Sequence, residues 1–413
     1  MSKKLSATKH YAHYPNDPVH APWAAYGFRP FFLILPWYVL GMMLIWAGVF
    51  AGVLPWYLSA DPYSWHAYEL MYGVGMAGTA AFVLTGLPEL FPGVVPIVGR
   101  KLLYWVGLWL AGRVAFLFAF GFGLWIKFAL DLAFSLLIII WVFKPVVLDK
   151  LQRHSSVAYT VVGLTALQVW FYLSIAGFSS TSTMDILKVT LGWFMILIVV
   201  ALKRINMEAV NEVLEASDNY DSDDLFMAKS YRYNLSVFTI LLYTTAEFFY
   251  PTNSTLAWLA FAAGAAVLGI ISDFKLEYGS VIFKPIPIFL ALVPIFIGIG
   301  YFSLGVNILL KLEYSVYFRH FLTSGAFGLA FIVALLVITM IHTGRALLYE
   351  KWMGVAILFI IIATFLRVSI FAFSQYYTLF NTLATLFWAG AFIVYYLGAK
   401  SYLKSPRADG ILG

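Results

Sequence analysis

Long runs of apolar residues recur along the whole chain, and short polar connections separate them. Residues 134–143, for example, are almost uniformly apolar, whereas a strand of a membrane β-barrel would alternate apolar and polar side chains. Each run has about 20 residues, which as an α-helix cross a hydrocarbon core of ~30 Å. The pattern therefore predicts an all-α integral membrane protein with about twelve transmembrane helices, near residues 28–54, 66–91, 101–120, 124–145, 157–178, 184–203, 233–250, 255–274, 285–305, 318–342, 350–373 and 378–399.

One connection is much more polar than the others. Residues 204–232 include the stretch NMEAVNEVLEASDNYDSDDL, which holds the densest group of acidic residues in the chain. Such a segment is typical of a solvated linker, and it divides the predicted helices into two halves of six. We therefore predict an N-terminal tail (1–27), a first transmembrane half (28–203), an acidic linker (204–232), a second transmembrane half (233–399) and a C-terminal tail (400–413).

Positive charges fall mainly on one side of this predicted bundle. Of the 26 Lys and Arg residues, twenty lie in connections on one side and four in connections on the other. Because cytoplasmic connections carry the excess of positive charge, the first side is predicted to be cytoplasmic, and with it both termini and the acidic linker. The four residues on the outer side are Lys127, Lys188, Lys311 and Arg319.

This orientation can be tested with fusion reporters. A reporter placed at the C-terminus or within 204–232 should behave as cytoplasmic, and one placed within 55–65 should behave as exported. The measurement uses a pair of reporters, one active only inside the cytoplasm and one only outside it. An exported C-terminus would reverse every depth assigned below.

Composition narrows the class of protein and its partners. The chain has 413 residues, of which 62% are hydrophobic and 11% charged, so its main partner is the lipid bilayer. Its net charge of +6 fits anchoring at a membrane surface and gives no basic patch for nucleic acid. The absence of cysteine excludes disulfides, iron–sulfur clusters and covalently attached haem, so any haem must be of the non-covalent b type.

Ionisable side chains occur inside the predicted spans, in their outer halves. Charges at such depth cost several kcal/mol unless they face a polar cavity, pair with each other or bind a ligand. A shared outer pocket would explain them together, and local ion pairs such as Glu69 with Arg113 would explain them separately. The residues concerned are His66, Glu69, Arg113, Asp131, Glu247, His320 and Arg367.

Three histidines are candidate metal ligands. His66 and His320 enter the second and tenth spans from the outer face, so they can share a metal site. Glu69 follows His66 by three residues and lies on the same helix face, as a further ligand or as a partner of the imidazole. His342 ends the tenth span ~33 Å from His320 and belongs to another site. The alternative for each histidine is an amphipathic anchor that binds nothing.

Short motifs occur along the chain in a characteristic order. They are GFRPFF (27–32), WHAYE (65–69), LTGLPE (84–89), LAGR (110–113), HFLTSGAFG (320–328) and HTGR (342–345). In order and spacing they resemble the NnrS family, membrane proteins associated with denitrification and nitric-oxide stress and described as containing haem and copper. The resemblance implies a bacterial cytoplasmic membrane, haem b, copper, and nitric oxide as the small uncharged partner. It carries ligand roles onto His66, Glu69, His320 and His342, and supporting cofactor-binding roles onto Arg29, Arg113 and Arg345.

The chain departs from the family pattern at several positions. Tyr68 stands where the family has a second histidine in WHAHE, Ala291 replaces a histidine of the ninth span, and Val337 replaces an arginine of the tenth. A proline-marked stretch after the sixth span is replaced by KRINMEAVNE. A member that keeps one haem and no copper is consistent with these losses.

Three functional hypotheses follow. The first is a haem protein whose outer site handles nitric oxide or a related redox species. The second is a proton- or ion-coupled transporter that uses intramembrane charges such as Glu69, Asp131, Glu247 and Arg367. The third is a non-catalytic subunit or assembly partner of a respiratory complex. The sequence leaves open whether the protein is an enzyme.

Overall fold

The computed structural model describes residues 21–91, 93–147, 155–216, 225–276 and 279–411, and these residues form an almost entirely helical structure. The strands within them are a two-residue antiparallel pair, β1 (Lys275–Leu276) and β2 (Gly279–Ser280). The long helices of this part of the chain are α1 (Phe28–Phe50), α2 (Pro62–Leu90), α3 (Gly99–Phe118), α4 (Phe122–Val142), α5 (Ser155–Ile175), α6 (Thr183–Glu215), α7 (Ser230–Phe249), α8 (Leu256–Phe274), α9 (Pro285–Leu309), α10 (Ser315–His342), α11 (Lys351–Ser369) and α12 (Ser374–Lys404).

Most of these helices can cross a membrane. Eleven within the described residues are long and apolar enough, and α7, of 20 residues, is less apolar. The prediction of an all-α, multi-pass membrane protein is therefore confirmed. The orientation of the termini stays a prediction.

Local signals explain where α2 begins. Asp61 is the N-cap, and its carboxylate accepts a hydrogen bond of 3.0 Å from the backbone N–H of Ser64. Pro62 follows at the first helical position, where its missing N–H costs nothing. The start of α2 is therefore fixed a few residues before His66.

Among the described residues, two spans contain a π-helical stretch, at Glu69–Val74 in α2 and at Phe321–Phe327 in α10, and a third stretch, Phe143–Val147, follows the end of α4. The wider turn exposes backbone carbonyls, and tryptophan side chains bind them. In α2 the indole N–H of Trp109 donates to Gly73 at 2.9 Å, and in α10 that of Trp388 donates to Ser324 at 3.1 Å. Such stretches are frequent at functional sites, and those of α2 and α10 follow shortly after a predicted ligand, His66 or His320.

The chain forms two compact units that do not coincide with the predicted halves. The first comprises the described parts of 1–187, 338–345 and 396–413, and the second comprises those of 188–337 and 346–395. The end of α10 and the end of α12 therefore belong to the first unit. The division of the sequence into six plus six helices stays a prediction.

The predicted acidic linker begins as helix. Helix α6 continues to Glu215, and α7 starts at Ser230, within the range predicted as linker. Polar composition alone suggested a loop, yet Ala209 and Val210 are fully buried and give this extension an apolar side. Good helix formers with one apolar face favour continued helix over loop. Residues 217–224 of the linker lie outside the described residues.

Candidate functional site

The first unit contains a ring of four buried, oppositely charged side chains. Glu69 comes from α2, Arg113 from α3, and Lys127 and Asp131 from successive turns of α4. Lys127 Nζ lies 2.9 Å from Glu69 Oε1 and 2.7 Å from Asp131 Oδ2. Arg113 Nη1 lies 2.8 Å from Glu69 Oε2, and its other terminal nitrogen donates to Asp131 Oδ1. All four side chains are at most 5% exposed, and together they carry no net charge.

Tyrosine hydroxyls complete the coordination of the two carboxylates in this four-charge ring. Tyr38 of α1 donates to Glu69 Oε2 at 2.7 Å, while Tyr68 and Tyr172 donate to Asp131 Oδ2 at 2.7 and 2.8 Å. Tyr68 in turn accepts a hydrogen bond of 2.9 Å from Gln168 Nε2. Five helices of the first unit therefore converge on one neutral network.

The ring explains two features of the sequence. The alternative of a local Glu69–Arg113 pair agrees with the observed contact, and Tyr68, where the family pattern has histidine, supports Asp131. Lys127 was assigned to an outer connection, but its side chain is fully buried over the ring of Tyr68, 5.4 Å from the centroid. Helix α4 begins at Phe122, so Lys127 lies in its second turn and points inward.

The π-helical stretch of α2 is tied to the ring. The Tyr38 hydroxyl contacts the backbone carbonyl of Glu69 at 2.9 Å as well as its carboxylate. A side chain at Gly73 would collide with this same hydroxyl, so the glycine allows α1 to approach. Gly73 thus serves the close packing of α1 against α2.

His66 lies one turn before Glu69, among aromatic rings. Its imidazole meets Trp46 edge to face at 4.8 Å between ring centroids and Phe50 at 6.0 Å. The side chain is half-buried. These contacts fit an aromatic anchor, and the ligand role of His66 stays a prediction.

The second unit holds His320 with a different set of partners. Its Nδ1 lies 2.8 Å from the carbonyl of Val316, and its Nε2 accepts a hydrogen bond of 3.1 Å from Arg367 Nε. Next to it, Arg319 pairs with Glu247 at 2.7 Å, so a charge assigned to the outer connection is again engaged by an intramembrane carboxylate. Both ring nitrogens of His320 have polar partners in this arrangement.

His342 belongs to the first unit, where it meets Glu89. Its Nδ1 lies 2.8 Å from Glu89 Oε1, and the hydroxyl of Tyr26 donates to the same oxygen at 3.1 Å. The ring of Tyr26 stacks on the imidazole with centroids 6.0 Å apart, and Phe28 lies at 5.9 Å. Tyr26, Glu89 and His342 form what we call the His342 cluster, which joins the motifs LTGLPE and HTGR to the residue that precedes GFRPFF.

The arginines of these motifs contact the C-terminal part of the same unit. Arg29 is fully buried and donates to the carbonyls of Leu403 and Ser405 at 3.2 and 2.7 Å. Arg345 lies over the ring of Tyr402, 4.4 Å from its centroid. The supporting roles predicted for Arg29 and Arg345 in cofactor binding stay predictions, and their visible contacts are with the protein itself.

The structure groups the predicted site residues in a way that depth alone did not indicate. Glu69 and Arg113 meet in the four-charge ring, and His342 shares the first unit with them, whereas His320 belongs to the second unit. Glu89 and Tyr26 were missed as site residues, although Glu89 ends the LTGLPE motif. Two further departures from the family pattern, Ala291 and Val337, are buried apolar side chains of the second unit.

Comparison with known proteins identifies one family. The sequence model described as NnrS protein matches residues 22–407, nearly the whole chain. No curated protein and no solved structure matches the chain. The matched range includes every residue of the four-charge ring and of the His342 cluster.

Proposed function

The chain belongs to the NnrS family, and we propose that it is a haem-binding protein of the bacterial cytoplasmic membrane that handles nitric oxide or a related small nitrogen oxide. The family association with haem, copper and nitric-oxide stress motivates this function. The structural observation that supports it best is the contact between His342 and Glu89. Respiratory-chain partners and a role in denitrification belong to the same proposal.

The donor chemistry of the His342 cluster fits haem. A carboxylate on Nδ1 favours the imidazole tautomer whose lone pair is on Nε2, and it raises the basicity of that nitrogen. Ligating histidines almost always have such a partner on their second nitrogen. Haem iron held by Nε2 would supply a binding site for an uncharged diatomic gas. Glu89 orients the imidazole, and Tyr26 in turn orients Glu89 by donating to the same oxygen.

The outer site fits a metal less well. The oxygens of Glu69 are engaged by Arg113, Lys127 and Tyr38, so a metal at Glu69 would require the four-charge ring to open. No step is therefore assigned to copper. The predicted pair of His66 and His320 stays a prediction, and the experiment below tests it beside His342.

The transporter hypothesis gains little from these contacts. The carboxylates assigned to a proton or ion path, Glu69, Asp131 and Glu247, each contact an arginine. These close salt bridges suit static ion pairs that hold helices together better than a path along which protons or ions move. Haem binding therefore remains the function that the site supports best.

The purified protein should show a Soret band and the reduced spectrum of b-type haem, since a chain without cysteine holds haem only non-covalently. His342→Ala should lose this haem because it removes the ligand. The measurement is haem per folded protein in His342→Ala, His66→Ala and His320→Ala, with His13→Ala of the N-terminal tail as the matched control. Colourless protein from haem-replete cells would contradict the proposal, and loss only in the two outer variants would move the haem to His66 and His320.

A further inference from the structure

The C-terminal segment folds onto the end of α10, next to the His342 cluster. Arg407 is buried, and its Nη1 donates to the backbone carbonyl of His342 at 3.0 Å. The backbone N–H of Ala408 donates to the carbonyl of Thr343 at 2.9 Å. These two carbonyls are among those that a helix end leaves without intrahelical partners, so the segment caps α10.

Asp409 holds Arg407 in this position. Its two carboxylate oxygens accept hydrogen bonds from Arg407 Nε at 3.0 Å and from Nη2 at 2.6 Å. Partial burial raises the pKa of Asp409, but the bonds from Arg407 and from the backbone N–H of Ile411 outweigh it and keep the pKa below its ordinary value. The bidentate pair fixes the plane of the guanidinium, which leaves Nη1 aimed at His342.

Gly344 makes this approach possible. It has a φ of +71°, in the left-handed region, and ends α10. A side chain at this position would collide with the carboxylate of Asp409. Two features therefore favour glycine at position 344: the left-handed backbone conformation and the close approach of the Asp409 carboxylate.

Arg29 secures the same segment from the other side. Its guanidinium binds the carbonyls of Leu403 and Ser405, at the end of α12. Arg29 is two residues from Gly27, which packs against Leu84 of the α2 turn that precedes Glu89. The segment and its two arginines thus join the chain next to Tyr26 to the end of α10 at His342, and the contact of Gly27 with Leu84 adds the turn of α2 before Glu89.

We propose that Leu403–Asp409 is a positioning element of the His342 cluster, a C-terminal clasp that sets the direction of the His342 imidazole toward Glu89. The clasp acts on the backbone of His342 and Thr343, where a small rotation at the helix end would move the imidazole away from the carboxylate. This inference rests on the proposed function, since its role is to hold a haem ligand. In this proposal Arg407, Asp409 and Arg29 contact only the protein, and they affect the cofactor by holding the backbone that carries its ligand.

The experiment compares Arg407→Ala with Lys400→Ala, which removes the same charge from an exposed position of α12. Because the chain contains no cysteine, Thr343→Cys introduces a single thiol at a fully buried position under the clasp. In apo-protein carrying this reporter, Arg407→Ala should raise the maleimide reaction rate by at least about tenfold, through loss of buried charge-assisted hydrogen bonds. Lys400→Ala should leave the rate unchanged.

In the protein with Thr343 intact, Arg407→Ala should lower the haem affinity by about tenfold, as loss of a ligand's supporting contacts does, and shift the reduced spectrum of the haem that still binds. Asp409→Asn should show the same two effects to a smaller degree, and it serves if Arg407→Ala does not fold. An unchanged maleimide rate would overturn the clasp. A raised rate with the haem affinity and spectrum of Lys400→Ala would overturn its role in the site, whereas a colourless unvaried protein would overturn the proposed function itself.

Discussion

Asp131→Asn should lower the free energy of unfolding by about 3–5 kcal/mol, the usual cost of removing one member of a buried ion pair. The substitution keeps the size of the side chain but leaves Arg113 and Lys127 facing the single carboxylate of Glu69. One positive charge would then be buried without compensation in a region at most 5% exposed. The measurement is the denaturation midpoint of the purified protein in detergent, followed by helical circular dichroism.

The double variant Lys127→Met with Asp131→Asn separates charge balance from loss of contacts. It removes one charge of each sign and leaves the neutral pair of Glu69 and Arg113, so it should be less destabilised than the sum of the two single variants, by about 0.5–3 kcal/mol. Glu313→Gln, at an exposed position, is the control for loss of a carboxylate and should change little. Strict additivity of Lys127→Met and Asp131→Asn would show that the four charges do not act as a ring.

A ring of this kind favours fixed geometry over stability. Well-packed apolar residues of similar volume often stabilise a protein more than a buried ion pair does, so the ring's value lies in what it orients. Here it holds the π-helical stretch of α2 through Glu69 and Tyr38, and His66 lies one turn earlier. If the predicted ligand role of His66 is correct, the ring is the element that fixes its helix.

The fold could be predicted from the sequence because hydropathy reports it locally. Each transmembrane helix can be recognised from its own run of about 20 apolar residues, without knowledge of the helices that pack against it. The end of α6 was predicted too early for the same reason. The mean hydropathy of the stretch around Ala209 and Val210 is that of a loop, but its residues are good helix formers and these two are buried on one side of the helix. Length and composition fix the existence of a helix better than its end.

The candidate site was only partly accessible from the sequence. Depth grouped Glu69, Arg113 and Asp131 correctly because all three lie at similar distances from the ends of their helices that are predicted to face outward. Depth does not report lateral position, so the predicted pairing of His66 with His320, one in each compact unit, stays a prediction. Depth also placed Lys127 in a connection, since nothing local marks whether a lysine near a helix start faces water or a carboxylate.

Glu89 was missed for a related reason. It ends the LTGLPE motif near the boundary of α2, where a carboxylate is easily taken for a solvated residue. Its partner His342 is far away in the chain, and only the fold brings the two together. The signal that could have found the pair is the recurrence of one carboxylate and one histidine among motifs assigned to the same membrane face.

Glu89→Gln should weaken haem binding by about 10- to 100-fold without abolishing it, because such losses are typical when the partner of a ligating histidine is changed. Gln keeps a carbonyl that can accept a hydrogen bond from His342 Nδ1, but it removes the negative charge that makes the imidazole a stronger electron-pair donor to iron. A weaker electron-pair donor stabilises ferric iron less, so the midpoint potential of the remaining haem should rise. Haem titration of the apo-protein and redox potentiometry measure the two effects.

The direction of the potential shift makes this prediction specific to a ligand's partner. Glu350→Gln is the matched control: its carboxylate binds Trp352 in the second unit at 2.7 Å, and its loss should affect neither haem affinity nor potential. Tyr26→Phe should give a smaller shift of the midpoint potential in the opposite direction, downward, because removing a donor to Oε1 leaves more negative charge on Glu89 for His342. Glu89→Gln and Tyr26→Phe could instead both lose haem while the midpoint potential of the remaining haem stays unchanged. That result would mean that Glu89 only holds α2 in place, and the ligand would then have to be sought at His66 or His320.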